Sequence, residues 1–279
     1  MDMQAVARTE QRLDRRFNIS GVGVGIRAPD DVLRVLDVTL LHVPRHVAEC
    51  TIVMSVAKDD ERWRISDEYG PIIALPSFAP VPEVAGALTT AMVERVGQST
   101  QDAIVTGTIV AKGGFAVALV GEDWESCIAI AAHLSLRGWS FVTPRHAFVD
   151  RDTRAVEPFA KLLYIPARII PLMPLQYRRA LEASPWYSTA ADLGFYGVDL
   201  LSVPGITAPA VRPILRAGII VDPSRRELNG AIHEPAHTYI GSFLPFSGVG
   251  IASASLVVGS IVPTTDAVER WFSTITTVS

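Results

Sequence analysis

The sequence predicts an α/β fold: a small β-rich N-terminal domain over residues 1–80, then a larger domain over 81–279 organised around a central sheet. The first observation behind this is a set of short β-branched and apolar runs between residues 18 and 75: ISGVGVGIRA, LDVTLLHV, CTIVMSVA and RWRIS. Turn-forming or charged clusters separate them. The second is LPSFAPVPEV, where Pro76, Pro80 and Pro82 interrupt the pattern before AGALTTAMVERVGQ takes up a helical one, marking a boundary near residue 80. The third is the order strand, glycine turn, strand, glycine, helix, strand from Asp102 onward: AIVTGTIV, KGG, FAVALVG, EDWESCIAIAAHLSLRG and WSFVT. A buried apolar strand that passes through glycine into a helix is the arrangement in which nucleotide phosphates sit.

The helix after Gly121 is expected over 125–137, burying Ile128, Ala131, Ala132, Leu134 and Leu136 and stopping at Gly138. Further helices are expected at Pro174–Ala183 and Asp266–Ile275, with strand-like segments elsewhere. Between Thr238 and Thr265 no residue is charged. Pro245, Pro263 and several glycines nevertheless break the run, so it reads as strands and not as a bilayer helix, which needs ~20 predominantly apolar residues.

Composition narrows the function classes. Hydrophobic residues make up 49% and charged residues 19%, which leaves little polar cover and predicts a buried partner surface, such as that of a homo-oligomer. The net charge of -4 and the scattered Lys and Arg argue against a nucleic-acid ligand. Cys50 and Cys127 are far apart and form no CxxC, which excludes a Cys-based zinc site and a disulfide framework and fits a reducing cytoplasm. The N-terminal residues mix acids and arginines without the apolar core of a signal peptide.

The segment AIVTGTIVAKGGFAVALVGEDWESCIAIAAHLSLRGWSFVTPRHAFVDRD resembles bacterial HPr-kinase-like and related P-loop serine kinases. In that family a strand bears a histidine, the next strand leads into GxxxxGK[ST], and a helix and "rGw" follow. A strand ending in an acidic metal-binding pair completes the signature. The resemblance implies an HPr-kinase-like P-loop domain, with the phosphate loop at Gly121, Glu122, Asp123, Trp124, Glu125, Ser126, Cys127 and Ile128. Gly121 occupies the first glycine position, but Ser126, Cys127 and Ile128 stand at the second glycine, the lysine and the hydroxyl residue. Glu122, Asp123 and Glu125 add negative charge where phosphates would lie; a like-charge contact near 4 Å costs ~1 kcal/mol in water and ~4 at an effective dielectric of 20. Thr106 stands at the histidine position, and Pro144, Arg145 and His146 where the acidic pair is expected. Phosphoryl transfer rests on positioning and charge stabilisation by these groups, so the resemblance implies a pseudokinase without a nucleotide cofactor.

Other motifs suggest weaker chemistry. HEPAH, residues 233–237, matches HExxH through His233, Glu234 and His237. Pro235 inside it and Gly230 before it oppose the helix that zinc ligation on this motif needs, and a surface turn is expected. GVGVG at 21–25 is not GxGxxG and reads as a strand with glycines at a bulge or close crossing. His42 and His46 flank Pro44 and read as loop residues, and Cys127 reads as a buried inert thiol. Trp139, Arg145, His146 and Lys161 are candidates to line the vacated pocket. A kinase with a displaced site would use Asp150 and Asp152 with Lys112 or Lys161, and a hydrolase would use His233 and His237.

The favoured expectation is a non-catalytic peptide-binding accessory protein. Strand addition at a sheet edge supplies main-chain hydrogen bonds and alternating side-chain pockets. By analogy with degenerate relatives in crocagin-type pathways, the resemblance implies a precursor peptide and its modifying enzyme in ribosomal peptide natural product biosynthesis as partners.

Overall fold

The computed structural model describes residues 13–47, 49–121, 124–159, 163–184, 186–187, 195–198, 203, 211–222, 232–233, 252–257 and 261–277. The N-terminal run of β-branched and apolar residues forms a five-stranded sheet of β1 (Arg15–Ile19), β2 (Val22–Arg27), β3 (Ile52–Lys58), β4 (Arg62–Asp67) and β5 (Gly70–Pro76), in that spatial order. Pairing is antiparallel except between β2 and β3, which run parallel across a connection containing helix α1 (Asp30–Thr39). Gly23 and Gly25 of GVGVG lie on β2, and Gly21 lies in the turn before it. A Cβ on Gly23 would stand 1.9 Å from the Glu49 carbonyl oxygen, so glycine there answers a close backbone approach.

Helix α1 corrects the strand expected for LDVTLLHV, whose first four residues are helical. Val32, Leu33, Leu36 and Thr39 recur at intervals of three or four and are buried together, Pro29 precedes the first turn, and Asp30 and Asp31 place carboxylates at the positive end of the helix. An eight-residue window centred on the helix end hides that period. Burial of each large side chain in this stripe is worth roughly 1.5–3 kcal/mol, enough to override the β propensity of its valines.

Helix α2 (Val81–Ser99) follows the prolines as expected, with Pro82 in its first turn. It packs on the first sheet: Val84, Leu88, Met92, Val93 and Val96 share one core with Phe17, Ile26, Met54, Trp63 and Ile65. Both helices of this part contribute to that core, and the opposite face of the sheet carries Arg62, Arg64 and Ala74.

A six-stranded sheet forms the second core. Strands β7 (Thr108–Lys112), β8 (Phe115–Val120), β9 (Ser140–Thr143), β15 (Ile214–Asp222), β16 (Ile232–His233) and β17 (Ala252–Val257) take the order β16-β17-β15-β8-β7-β9. β8, β15 and β17 are parallel neighbours. Helix α3 (Trp124–Ser135) follows β8 and shares a core with residues of the C-terminal helix, α5 (Ile261–Thr277), including Val268 and Phe272. Strands β6 (Ala103–Thr106), β10 (His146–Val149) and β11 (Val156–Pro158) make a three-stranded sheet in the order β11-β10-β6. β12 (Leu163–Pro166), β13 (Trp186–Tyr187) and β14 (Phe195–Val198) make another, in the order β12-β14-β13, beside helix α4 (Leu175–Glu182). The fold is thus α/β with a strand-rich N-terminal part and a central mixed sheet. No helix among the described residues is long and apolar enough to cross a membrane.

Candidate functional site

The expected phosphate loop follows β8. Gly121 has φ +150°, and a Cβ there would stand 2.4 Å from the Val221 carbonyl oxygen on the adjacent parallel strand. Trp124 to Ile128 are already helical, so the chain winds into α3 where a longer phosphate-cradling loop is expected. Ser126, Cys127 and Ile128 are 8%, 2% and 2% exposed and face the core. Glu125 receives a 2.9 Å hydrogen bond from Arg168 Nε. Glu122 and Asp123 lie outside the described residues. Gly121→Ala is expected to destabilise the protein by about 1–3 kcal/mol through the clash and the strained backbone, measured as a lower urea midpoint.

The remaining candidates fall in separate places. Thr106 and His146 are cross-strand partners of β6 and β10, with Thr106 Oγ1 3.5 Å from His146 Nδ1; His146 is buried and Arg145 exposed. Trp139 does not join them: it precedes β9, whereas Arg145 and His146 follow that strand, and its indole is buried beside Phe272. Asp150 shapes the turn after β10, accepting hydrogen bonds at Oδ1 from the Thr153 amide and hydroxyl and from the Asp152 amide; these hold its carboxyl below the usual range. Asp152 is exposed in the same turn. His233 lies on β16 opposite Ser255, so the HEPAH segment begins in a strand; Glu234, His237 and Lys161 lie outside the described residues. His42 and His46 are exposed and non-helical. Among the described residues no three His, Cys, Asp or Glu side chains are grouped to hold a metal.

Lys112 belongs to a cluster that single-segment reading missed. Glu269 on α5 accepts hydrogen bonds from Trp139 Nε1 at 3.0 Å, Arg137 at 3.1 Å and Lys112 at 3.2 Å, and Arg137 also bonds Asp266. A cavity of about 320 Å³ opens beside it, lined by Lys112, Phe115, Trp139 and Phe272. Burial opposes ionisation of Glu269, but the three donors outweigh it and hold the carboxyl below the usual range. Its contribution to stability is therefore fully present above the ordinary glutamate range and is lost as pH falls through the lower folded value. Replacing it, as in Glu269→Gln, should flatten the acid limb of a urea-midpoint profile recorded from about pH 6 down to 3.

β5 is an edge strand of the first sheet. Among the described residues no strand pairs with its outer side. Tyr69 and Phe78 flank it with 84% and 77% exposure, and Ile72, Ile73 and Leu75 lie half-buried along the first core. The Ser77 amide donates to the Glu61 carbonyl, which fixes the hydrogen-bonding phase: Leu75 and Ile73 turn their main-chain groups to β4, whereas Ala74 and Pro76 turn theirs outward. Pro71, opposite Ser66, and Pro76 bracket the strand. Proline on an edge limits uncontrolled pairing, here to a short window centred on Ala74. Asp67 sets the turn at one end. Its Oδ1 accepts the Tyr69 and Gly70 amides at 2.9 and 3.1 Å, and its Oδ2 lies 2.8 Å from Arg95 Nε on α2. By contrast, β1 is partly covered through the Asn18 amide to the Pro44 carbonyl, and β11 through the Val156 amide to the Pro213 carbonyl.

Site and fold together define a mixed α/β protein in which the β5 edge is short, flanked by aromatics and unpaired among the described residues. The chain matches no protein-family model and no curated protein.

Proposed function

We propose that this chain is a non-catalytic peptide-binding accessory protein on a degenerate HPr-kinase-like scaffold, recognising an extended segment as a strand added to β5. The observation that carries the reading is the open Ala74 window between exposed Tyr69 and Phe78. Main-chain pairing supplies affinity there, and the aromatics supply contact area. The prolines oppose pairing of β5 with its own copy, because a reversed second β5 would again present residues without an amide proton at both ends. A homo-oligomer belongs to the same proposal through other surface, such as exposed Leu172 and Leu175. The engagement of Asp150 in its own turn and of Lys112 with Glu269 favours this reading over a kinase with a displaced site. The resemblance extends the proposal to a precursor peptide and its modifying enzyme. A cytoplasmic setting suits Cys50 and Cys127, which form no disulfide.

The test is a thermal-shift titration with Mg-ATP beside one with candidate precursor peptides. A ligand at 100 times its dissociation constant adds ~2.7 kcal/mol of stability. A shift with peptide and none with Mg-ATP is expected; saturable Mg-ATP binding would overturn the reading.

A further inference from the structure

We infer that Arg64 makes the β5 edge selective for a segment with an acidic residue at its central outward position and apolar residues on either side of it. The inference rests on the strand-addition reading and adds the chemistry of the ligand.

Cross-strand register divides β5 into two faces. Leu75 and Ile73 stand opposite Trp63 and Ile65, both buried, so they belong to the core face together with the partly buried Val81 and Ala87 of α2. Ala74 and Pro76 stand opposite Arg64 and Arg62, both exposed, so they belong to the open face. A strand added beside β5 continues this division, because successive side chains alternate between faces. Its residues level with Ile73 and Leu75 cover apolar surface. The residue level with Ala74 projects onto the open face, roughly 9.6 Å from the β4 backbone at two inter-strand spacings. Ala74 has no long side chain to obstruct that path, and an extended arginine spans most of it, leaving a carboxylate on the incoming strand within pairing distance of Arg64.

Arg64 now pairs with Asp59 Oδ2 at 2.6 Å, its side chain 56% exposed and that of Asp59 42%. Asp59 is itself held by the Glu61 and Arg62 amides through Oδ1 and remains in the β3–β4 turn whichever way Arg64 turns. An exposed pair of this kind is exchanged at little cost. Arg62 pairs similarly with Glu61, and the acids of this turn make the Pro76 end of the edge less selective than its centre.

The experiment uses fluorescein-labelled eight-residue peptides with valine at the core-facing positions and glutamate, serine or lysine at the central outward position. Anisotropy is recorded at low and high salt against the wild-type chain, Arg64→Gln, Arg64→Glu and Ala74→Pro. The glutamate peptide should bind roughly two- to fivefold more tightly than the serine peptide at low salt, the range of one exposed ion pair, with the gap closing at high salt. Arg64→Gln should erase the preference and Arg64→Glu should transfer it to the lysine peptide. Equal binding of all three peptides, lost in Ala74→Pro, would overturn the role of Arg64 and leave the edge reading intact. Binding of none, or binding indifferent to Ala74→Pro, would overturn the edge reading and this inference with it.

Discussion

Ala74→Pro is expected to leave the protein folded and to weaken binding of an extended peptide by about tenfold to a hundredfold. The Ala74 amide points outward, so proline there removes no hydrogen bond to β4. It removes the one described donor at the centre of the window and places a ring where an incoming carbonyl would approach. Two lost or distorted main-chain bonds at about 0.5–1.5 kcal/mol each give that range. Anisotropy titration measures the affinity, and a urea midpoint close to wild type shows that the fold is retained. Undiminished binding by the folded variant would mean that the peptide docks elsewhere.

Trp139→Ala is expected to cost about 3–5 kcal/mol of stability, as for a large aromatic removed from a core. Trp139 is 1% exposed, its ring centroid lies 4.6 Å from that of Phe272, and its indole N–H reaches Glu269. The substitution leaves a cavity and deprives a partly buried carboxylate of a donor. Trp139→Phe, which keeps much of the volume, should lose less, largely through the missing hydrogen bond. Urea titrations of both variants separate packing from polar pairing, and equal losses would show that the hydrogen bond dominates.

The elements legible in the sequence are those whose signals are local. β8, its closing glycine and α3 are read from one apolar run and one turn, and α2 from a helical period after prolines. Helix α1 was obscured because Leu36, Val38, Leu40 and Leu41 crowd together and mimic a strand; only the wider window from Val32 shows the period. β5 was obscured by Pro71 and Pro76, which read as turn signals until register shows Pro76 facing outward. The link from Trp139 to Glu269 spans 130 residues, and no local pattern carries it. The candidate edge had the same difficulty: that β5 ends the sheet is a property of topology, whereas its residues alone only state that a strand can form.

The Asp67 carboxylate has a consequence for motion. One oxygen gathers the amides of the Tyr69 turn while the other grips Arg95 near the far end of α2, so a single side chain is the latch between hairpin and helix. Opening the turn releases the latch, and hydrogen exchange in the last turns of α2 should quicken in Asp67→Ala even though the substituted residue belongs to neither the helix nor its flanking loop.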